Sequence, residues 1–271
     1  MLIYRTEQGL ALQDGNQLNI LAEQDTALDA HLGALDDLAN RDVATNLAFD
    51  ESLNWQPLLE HPGKFIIIGL NYRAHVEEIG AKIPETLLFA VAPGSARHAA
   101  GADVTLQGEE TDYEGEIGIV VGKHADNVSA EDAWDYIAGI TPLNDVSARD
   151  VQAGRTMEAV AQAKGFPGFK PTGPWFATPD EFPDKDQITL KTWVNGDLRQ
   201  TAYSGDMIFS IPDLVSLVSA KTPLEVGDVI CTGTPGGVQH GGGVGLAAAV
   251  NTGRGHLLFV EEDIGVRCEA D

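Results

Sequence analysis

From His61 onward the chain carries seven strand-like apolar runs, at 64–68, 86–91, 113–121, 137–143, 187–194, 226–231 and 255–260, separated by Gly, Pro and Asp punctuation. Convincing helical patterns are few: 73–79, 130–135, a short one after Asp145, and 211–219. Strands outnumber helices and do not alternate with them, which argues against a doubly wound βαβ fold and predicts an α+β, strand-rich mixed architecture. The first 60 residues read differently. They hold eleven acids against Arg5 and Arg41, with short strand-like pieces around a turn at Asp14-Gly15-Asn16. Over 26–40, Leu28, Leu32, Leu35 and Leu38 recur at helical spacing, with Asp25 or Thr26 as N-cap. Residues 1–60 are therefore expected to form a small N-terminal domain, and residues 61–271 the main one.

The 271 residues, 43% of them hydrophobic, are enough to bury a sizeable core. Lys and Arg total 17 against 41 Asp and Glu, a formal net charge of −24. A surface so negative repels phosphate backbones and anionic lipid, so neither nucleic acid nor a membrane is an expected partner. Apolar runs such as Phe65-Ile66-Ile67-Ile68 fall far short of the roughly 20 residues that span a bilayer. The start lacks a basic stretch followed by an apolar one, the mark of a secretory signal. The two cysteines, Cys231 and Cys268, make neither a disulfide framework nor a thiolate zinc site, and the expected location is the cytoplasm. Cys231, inside an apolar run, reads as a small buried hydrophobe.

Three segments carry residues suited to chemistry. In Asp112-Tyr113-Glu114-Gly115-Glu116, strand alternation turns Glu114 and Glu116 to one side, about 7 Å apart along the backbone. Such a pair beside an apolar run resists burial unless a cation lies between, and a hard divalent ion such as Mg²⁺ or Mn²⁺ suits carboxylate oxygens. Two solvated glutamates on an exposed strand face are the alternative. In the segment from Asn144 to Gln152, an apolar strand runs into a polar turn. If Asp145 opens a helix there, Arg149 and Gln152 share its face. Asp145 would then complete a three-carboxylate shell while Arg149 and Gln152 hold an anion; a capping Asp in an i,i+4 ion pair is the plainer reading. Third, His75 and Glu78 share a helix face, a pairing that orients imidazole as a general base but also occurs as an ordinary surface pair. The glycines at Gly233-Thr234-Pro235-Gly236-Gly237 and at 241–245 do not open a helix after a first strand, so a tight turn near the site fits them better than a nucleotide loop.

Taken in order, these segments resemble the fumarylacetoacetate hydrolase family. The matching pieces are Gly69-Leu70-Asn71-Tyr72 with His75 and Glu78, then Asp112 to Glu116, then Asn144-Asp145 through Arg149 and Gln152. They continue with Ala163-Lys164-Gly165-Phe166, Gly173-Pro174-Trp175, Val194-Asn195-Gly196, Met207 to Ile211, and Gly227 to Gly236. The resemblance implies a mixed β-roll catalytic domain, usually homodimeric, behind a small N-terminal domain. It implies a Mg²⁺ or Mn²⁺ site at Glu114, Glu116 and Asp145, and a water-activating pair at His75 and Glu78. Arg149, Gln152, Lys164 and Thr234 match positions that contact substrate oxygens. Three departures lie where specificity would be set: Val91 stands where many members carry lysine, 154–163 lacks aromatic residues, and the chain beyond Val238 is unusual. The expected activity is hydrolysis of a C–C bond in a 2,4-dioxo acid, an acylpyruvate or fumarylacetoacetate-like compound, through an enolate, with His75 taking a proton from water and Lys164 and Gln152 supporting the oxyanion. Isomerase, decarboxylase or dehydratase action on a 2-oxo acid is the alternative within the family pattern. An inactive metal-stabilised binding module is the alternative outside it.

Overall fold

The computed structural model describes residues 1–22, 27–50, 53–153, 156–238 and 259–261. Four antiparallel strands come first: β1 (Leu2–Thr6), β2 (Gly9–Asp14), β3 (Gln17–Leu21) and β4 (Val43–Ala48). They are followed by β5 (Lys64–Gly69), α1 (Arg73–Glu78), β6 (Leu88–Pro93), β7 (Arg97–Ala99), β8 (Thr111–Asp112), β9 (Gly115–Val121) and β10 (Ile137–Asn144). Then come β11 (Ser147–Ala148), α2 (Arg149–Gln152), α3 (Met157–Lys164), β12 (Lys170–Thr172) and β13 (Trp175–Ala177). The hairpin β14 (Thr189–Val194) and β15 (Asp197–Tyr203), α4 (Ile211–Ser219), β16 (Val229–Cys231) and β17 (Phe259–Glu261) complete the order.

Among the described residues, twelve strands join one sheet whose main path runs β4-β3-β2-β1-β13-β10-β9-β16-β5-β6, with β12 pairing β10 and β7. The pairs β16–β5 and β12–β7 are parallel and the others antiparallel, so the sheet is mixed, as the irregular strand and helix pattern implies. The N-terminal strands continue this sheet, because β1 pairs with β13 from Leu2↔Ala177 to Tyr4↔Trp175. Ile66, Ile68, Ile117, Ile119 and Ile230 pack into one apolar cluster, while Phe65, Ile67, Val120, Val229 and Cys231 pack into another. The alternation of strand side chains accounts for this division, and it puts Glu116 on the side of Val120. Cys231 is free and fully buried, as a small hydrophobe would be.

Local signals explain α4: Ser210 and Asp213 form a reciprocal capping box, and Ile211, Leu214, Val215 and Val218 form the buried stripe. Two expected helices are different. Where one helix is expected over 26–40, the described residues 27–40 form two 3-10 turns, Leu28–His31 and Leu35–Asn40, which still bury Leu28 and Leu38. Gly33 lies between them, and its low helix propensity favours two short turns over one helix. The proposed caps Asp25 and Thr26 lie outside the described residues. The pattern at 130–135 becomes a 3-10 turn at Ala133–Tyr136, and α3 and β15 are elements the apolar pattern did not reveal.

Gly139 lies where β10 crosses β13, and a Cβ there would overlap Phe176 Cζ and the Ala177 carbonyl oxygen. Gly139→Ala should therefore destabilise the protein by about 1–3 kcal/mol, seen as a lower urea midpoint. Gly33→Ala, with nothing within 4 Å of the added methyl, should change stability by less than about 0.5 kcal/mol.

Candidate metal centre

β9 and β10 are buried along their whole length, and their register pairs Glu116 with Leu143 and Gly115 with Asn144. Just past that pairing, Asp145 N donates to the Glu114 carbonyl at 2.8 Å, and Glu114 N donates to Asn144 Oδ1 at 3.0 Å. These bonds bring three carboxylates together: one oxygen from each of Glu114, Glu116 and Asp145 lies within 4.8 Å of the others. All three side chains are buried, so the solvated-face alternative for the glutamates does not apply.

The cations around them come from the chain that follows β10. Lys164 Nζ donates to Glu114 Oε2 at 2.5 Å and Asp145 Oδ2 at 2.8 Å. Lys170, fully buried, places Nζ 2.6 Å from Asp145 Oδ1 and also donates to the Lys164 carbonyl. Arg149 reaches Glu114 Oε1 at 2.6 Å and Asp112 Oδ2 at 2.7 Å, and donates to Gln152 Oε1 at 2.9 Å. The expected helix beginning at Asp145 is corrected here. α2 begins at Arg149, after the short β8–β11 ladder, and Arg149 pairs with Asp112 and Glu114 rather than with Asp145. Asp145 instead reaches the cluster from the end of β10. Lys170 had no sequence signal beyond its type; it stands in a Gly- and Pro-rich stretch that reads as loop.

The cluster is short of one positive charge. Asp112, Glu114, Glu116 and Asp145 bring four carboxylates, while Arg149, Lys164 and Lys170 bring three cations. Burial pushes the Glu114 carboxyl up, but Lys164 and Arg149 outweigh it and hold the group at about 2. Glu116 goes the other way: burial, then Asp145 and Glu114, push its carboxyl well above the usual range. Its Oε2 accepts from Gly233 N at 2.9 Å, while Oε1 is buried without a hydrogen-bond partner. A buried, unpartnered carboxylate oxygen in an all-oxygen triad fits a hard divalent ion, with Glu114, Glu116 and Asp145 as its holders.

The other predicted residues surround this centre. His75, 9% exposed, sits in α1 with Nδ1 3.2 Å from Glu78 Oε2, close enough to the Glu114 carboxyl to help lower its pKa. Glu78 Oε1 accepts from Gly237 N at 3.0 Å. Thr234 donates through Oγ1 to the Gly115 carbonyl at 2.9 Å. The segment 233–237 is an irregular loop against the carboxylates, near the site as expected but not a tight turn, whereas the glycines at 241–245 lie outside the described residues. Gly233 has φ +91, and a Cβ there would come 2.9 Å from Asn71 Cβ, so this approach to Glu116 requires glycine.

Glu116→Gln removes the least compensated carboxylate while keeping its shape. The metal-free variant should melt at or above the wild-type temperature. Mn²⁺ at about 100 times its dissociation constant, which should stabilise the wild type by about 2.7 kcal/mol, should not shift the variant's melting at all.

Comparison with known proteins identifies the family. Residues 64–269 match the family described as fumarylacetoacetate (FAA) hydrolase, C-terminal. Oxaloacetate tautomerase YisK of Bacillus subtilis (strain 168) is 36% identical over 238 residues, covering 84% of this chain and 77% of that protein. The 4-hydroxyphenylacetate degradation bifunctional isomerase/decarboxylase of Salmonella dublin is 34% identical over 88% of this chain, which spans about half (53%) of that longer protein. Among solved structures, the fumarylacetoacetate hydrolase of Exiguobacterium antarcticum superposes with a TM-score of 0.76 at 26% identity, covering 89% of each chain. The 2-hydroxyhepta-2,4-diene-1,7-dioate isomerase of Mycobacterium marinum gives 0.69 at 27% identity over 88% of each. With its strand-rich mixed sheet and the match over 64–269, the chain belongs to the fumarylacetoacetate hydrolase family.

Proposed function

We propose that this chain is a divalent-metal-dependent enzyme that moves a proton beside the ketone of a 2-oxo acid, as a tautomerase or isomerase of a 2-oxo dicarboxylate. The observation that carries this reading is the His75–Glu78 pair joined to the carboxylate triad by one loop, through Gly237 N on Glu78 and Gly233 N on Glu116. The resemblance to an oxaloacetate tautomerase over 84% of the chain supports it. Glu114, Glu116 and Asp145 would hold Mg²⁺ or Mn²⁺, which when bound supplies Lewis acidity toward the oxygens of a 2-oxo acid.

The remaining work belongs to the chain's own side chains. Glu78, held by Gly237 N–H, accepts from His75 Nδ1 and fixes the ring, leaving Nε2 to take a proton from carbon and return it elsewhere on the substrate. Arg149 and Gln152, with Thr234, are the proposed contacts for substrate oxygens. Lys164, bonded to two of the triad carboxylates, balances the site's charge and stands next to any substrate bound there. The proposed partner is a small-molecule 2-oxo acid, and the working form a cytoplasmic homodimer. None of the described helices is long and apolar enough to cross a membrane.

Hydrolysis of an acylpyruvate is the second reading, because the same pair can take its proton from water. Its oxyanion would need Lys164 and Gln152 as donors. Lys164 Nζ already donates to Glu114 and Asp145, and proton transfer at carbon asks no donor of it, so that reaction makes the smaller demand.

The deciding assay follows three reactions with Mg²⁺ or Mn²⁺: ketonisation of enol-oxaloacetate, isomerisation of an unsaturated 2-oxo dioate, and pyruvate release from acylpyruvates. Metal-dependent turnover in either of the first two is expected. His75→Ala should lower kcat by about 10²–10⁴ while leaving Mn²⁺ affinity intact. Turnover confined to pyruvate release would establish the hydrolase instead, and no metal-dependent turnover would overturn both readings.

A further inference from the structure

β15 is exposed except at two positions, and one of these, Gln200, is polar and only 1% exposed. A buried primary amide on an otherwise solvated strand needs partners, and each one it has belongs to the metal centre or its loop. Its Oε1 accepts from Gly115 N at 2.9 Å, the peptide between Glu114 and Glu116. Its Nε2 donates to Thr234 Oγ1 at 2.7 Å and to the Pro235 carbonyl at 3.0 Å. Thr234 returns a bond to the Gly115 carbonyl at 2.9 Å, which closes a ring between the two segments.

The same loop touches the site at two more points, through Gly233 N on Glu116 Oε2 and Gly237 N on Glu78 Oε1. Tyr113 donates to the Gly237 carbonyl at 2.6 Å, and a Cβ on Gly237 would overlap the Arg199 carbonyl oxygen, so loop and β15 are in backbone contact. We propose that Gln200 is a positioning residue that sets the distance between the triad-bearing strand and the loop 233–237, and thereby the distance between the metal and the His75–Glu78 pair. This rests on the metal-dependent reading above. Only a primary amide accepts at one end and donates twice at the other; Asn is one methylene too short to reach both segments, and an ionised Glu lacks the donors.

The test is Gln200→Met, close in length and without either function, measured by Mn²⁺ calorimetry and thermal melting beside the wild type. The expected result is a folded variant whose Mn²⁺ affinity is about tenfold to a hundredfold lower. A purely structural contribution would lower the melting temperature and leave the affinity of the folded protein unchanged. Affinity within about twofold of wild type in a folded variant would overturn the proposal, since groups that orient metal holders cost more than that when lost. A wild type that binds no Mn²⁺ would overturn the metal reading itself, and this inference with it. Should the variant not fold, hydrogen exchange of the wild type decides. Mn²⁺ should slow amides at 199–201 and at Gly233, Thr234, Gly236 and Gly237 together with 114–116, and slowing confined to 114–116 and Asp145 would overturn the proposal.

Discussion

Three carboxylates whose oxygens lie within 4.8 Å of one another are held out of water by β9 and the end of β10, and much of the surrounding chain answers that repulsion. At an effective dielectric of 20, three such pairs would cost about 10 kcal/mol, comparable to the whole stability of an ordinary domain. The cluster therefore folds only with cations delivered to it. Arg149, Lys164 and Lys170 meet that need, each buried and each in contact with a carboxylate. Arg149 gains enough from Glu114 and Asp112 to outweigh burial, which by itself would favour losing its proton. Lys164 is in the same position between Asp145 and Glu114.

The three cations lie within one stretch of chain, 149–170, between β10 and β13. α2 starts with Arg149, α3 ends with Lys164 in its last turn, and β12 starts with Lys170. The last turn of α3 is a favourable place for a cation, because the unpaired carbonyls there are negative. β12 is fixed by pairing with both β10 and β7, so Lys170 is carried by the same strand ladder that carries Asp145. Charge balance and folding are joined at this point: the cations that face the triad are anchored to the strands that create it.

Much of the site was legible as chemistry and little of it as geometry. Strand alternation is local, so the common side of Glu114 and Glu116 could be read directly from the chain. The arrival of Asp145 beside them depends on the β9–β10 register, a pairing across a 15-residue connection that residue types do not encode. Lys170 and Gln200 were missed for a related reason. Each is a single polar residue whose partner at the centre comes from a distant segment, Asp145 for Lys170 and Gly115 and Thr234 for Gln200. The leucines of 26–40 gave the right buried side and the wrong helix, since two 3-10 turns broken at Gly33 can bury the same residues. α3 escaped notice because its eight residues, Met157–Lys164, include three alanines and carry only a faint apolar stripe.

One short loop ties the carboxylate triad to the His75–Glu78 pair. Residues 233–237 touch Glu116 at one end and Glu78 at the other, so the triad and the His75–Glu78 pair are registered to each other through backbone N–H groups. Those contacts do not depend on what the base deprotonates. A proton taken from carbon gives tautomerisation or isomerisation, and a proton taken from water gives hydrolysis, with the same His75–Glu78 geometry. On the proposed reading the choice falls to the substrate's placement, and so to residues beyond the triad: Arg149, Gln152, Lys164 and the chain around Val91 and 154–163. Two of the departures from the family pattern lie in that second set, while the triad and the pair are complete. On the proposed reading, a chain that keeps its carboxylate centre and varies its surroundings would retain the electron sink and change the reaction performed on it.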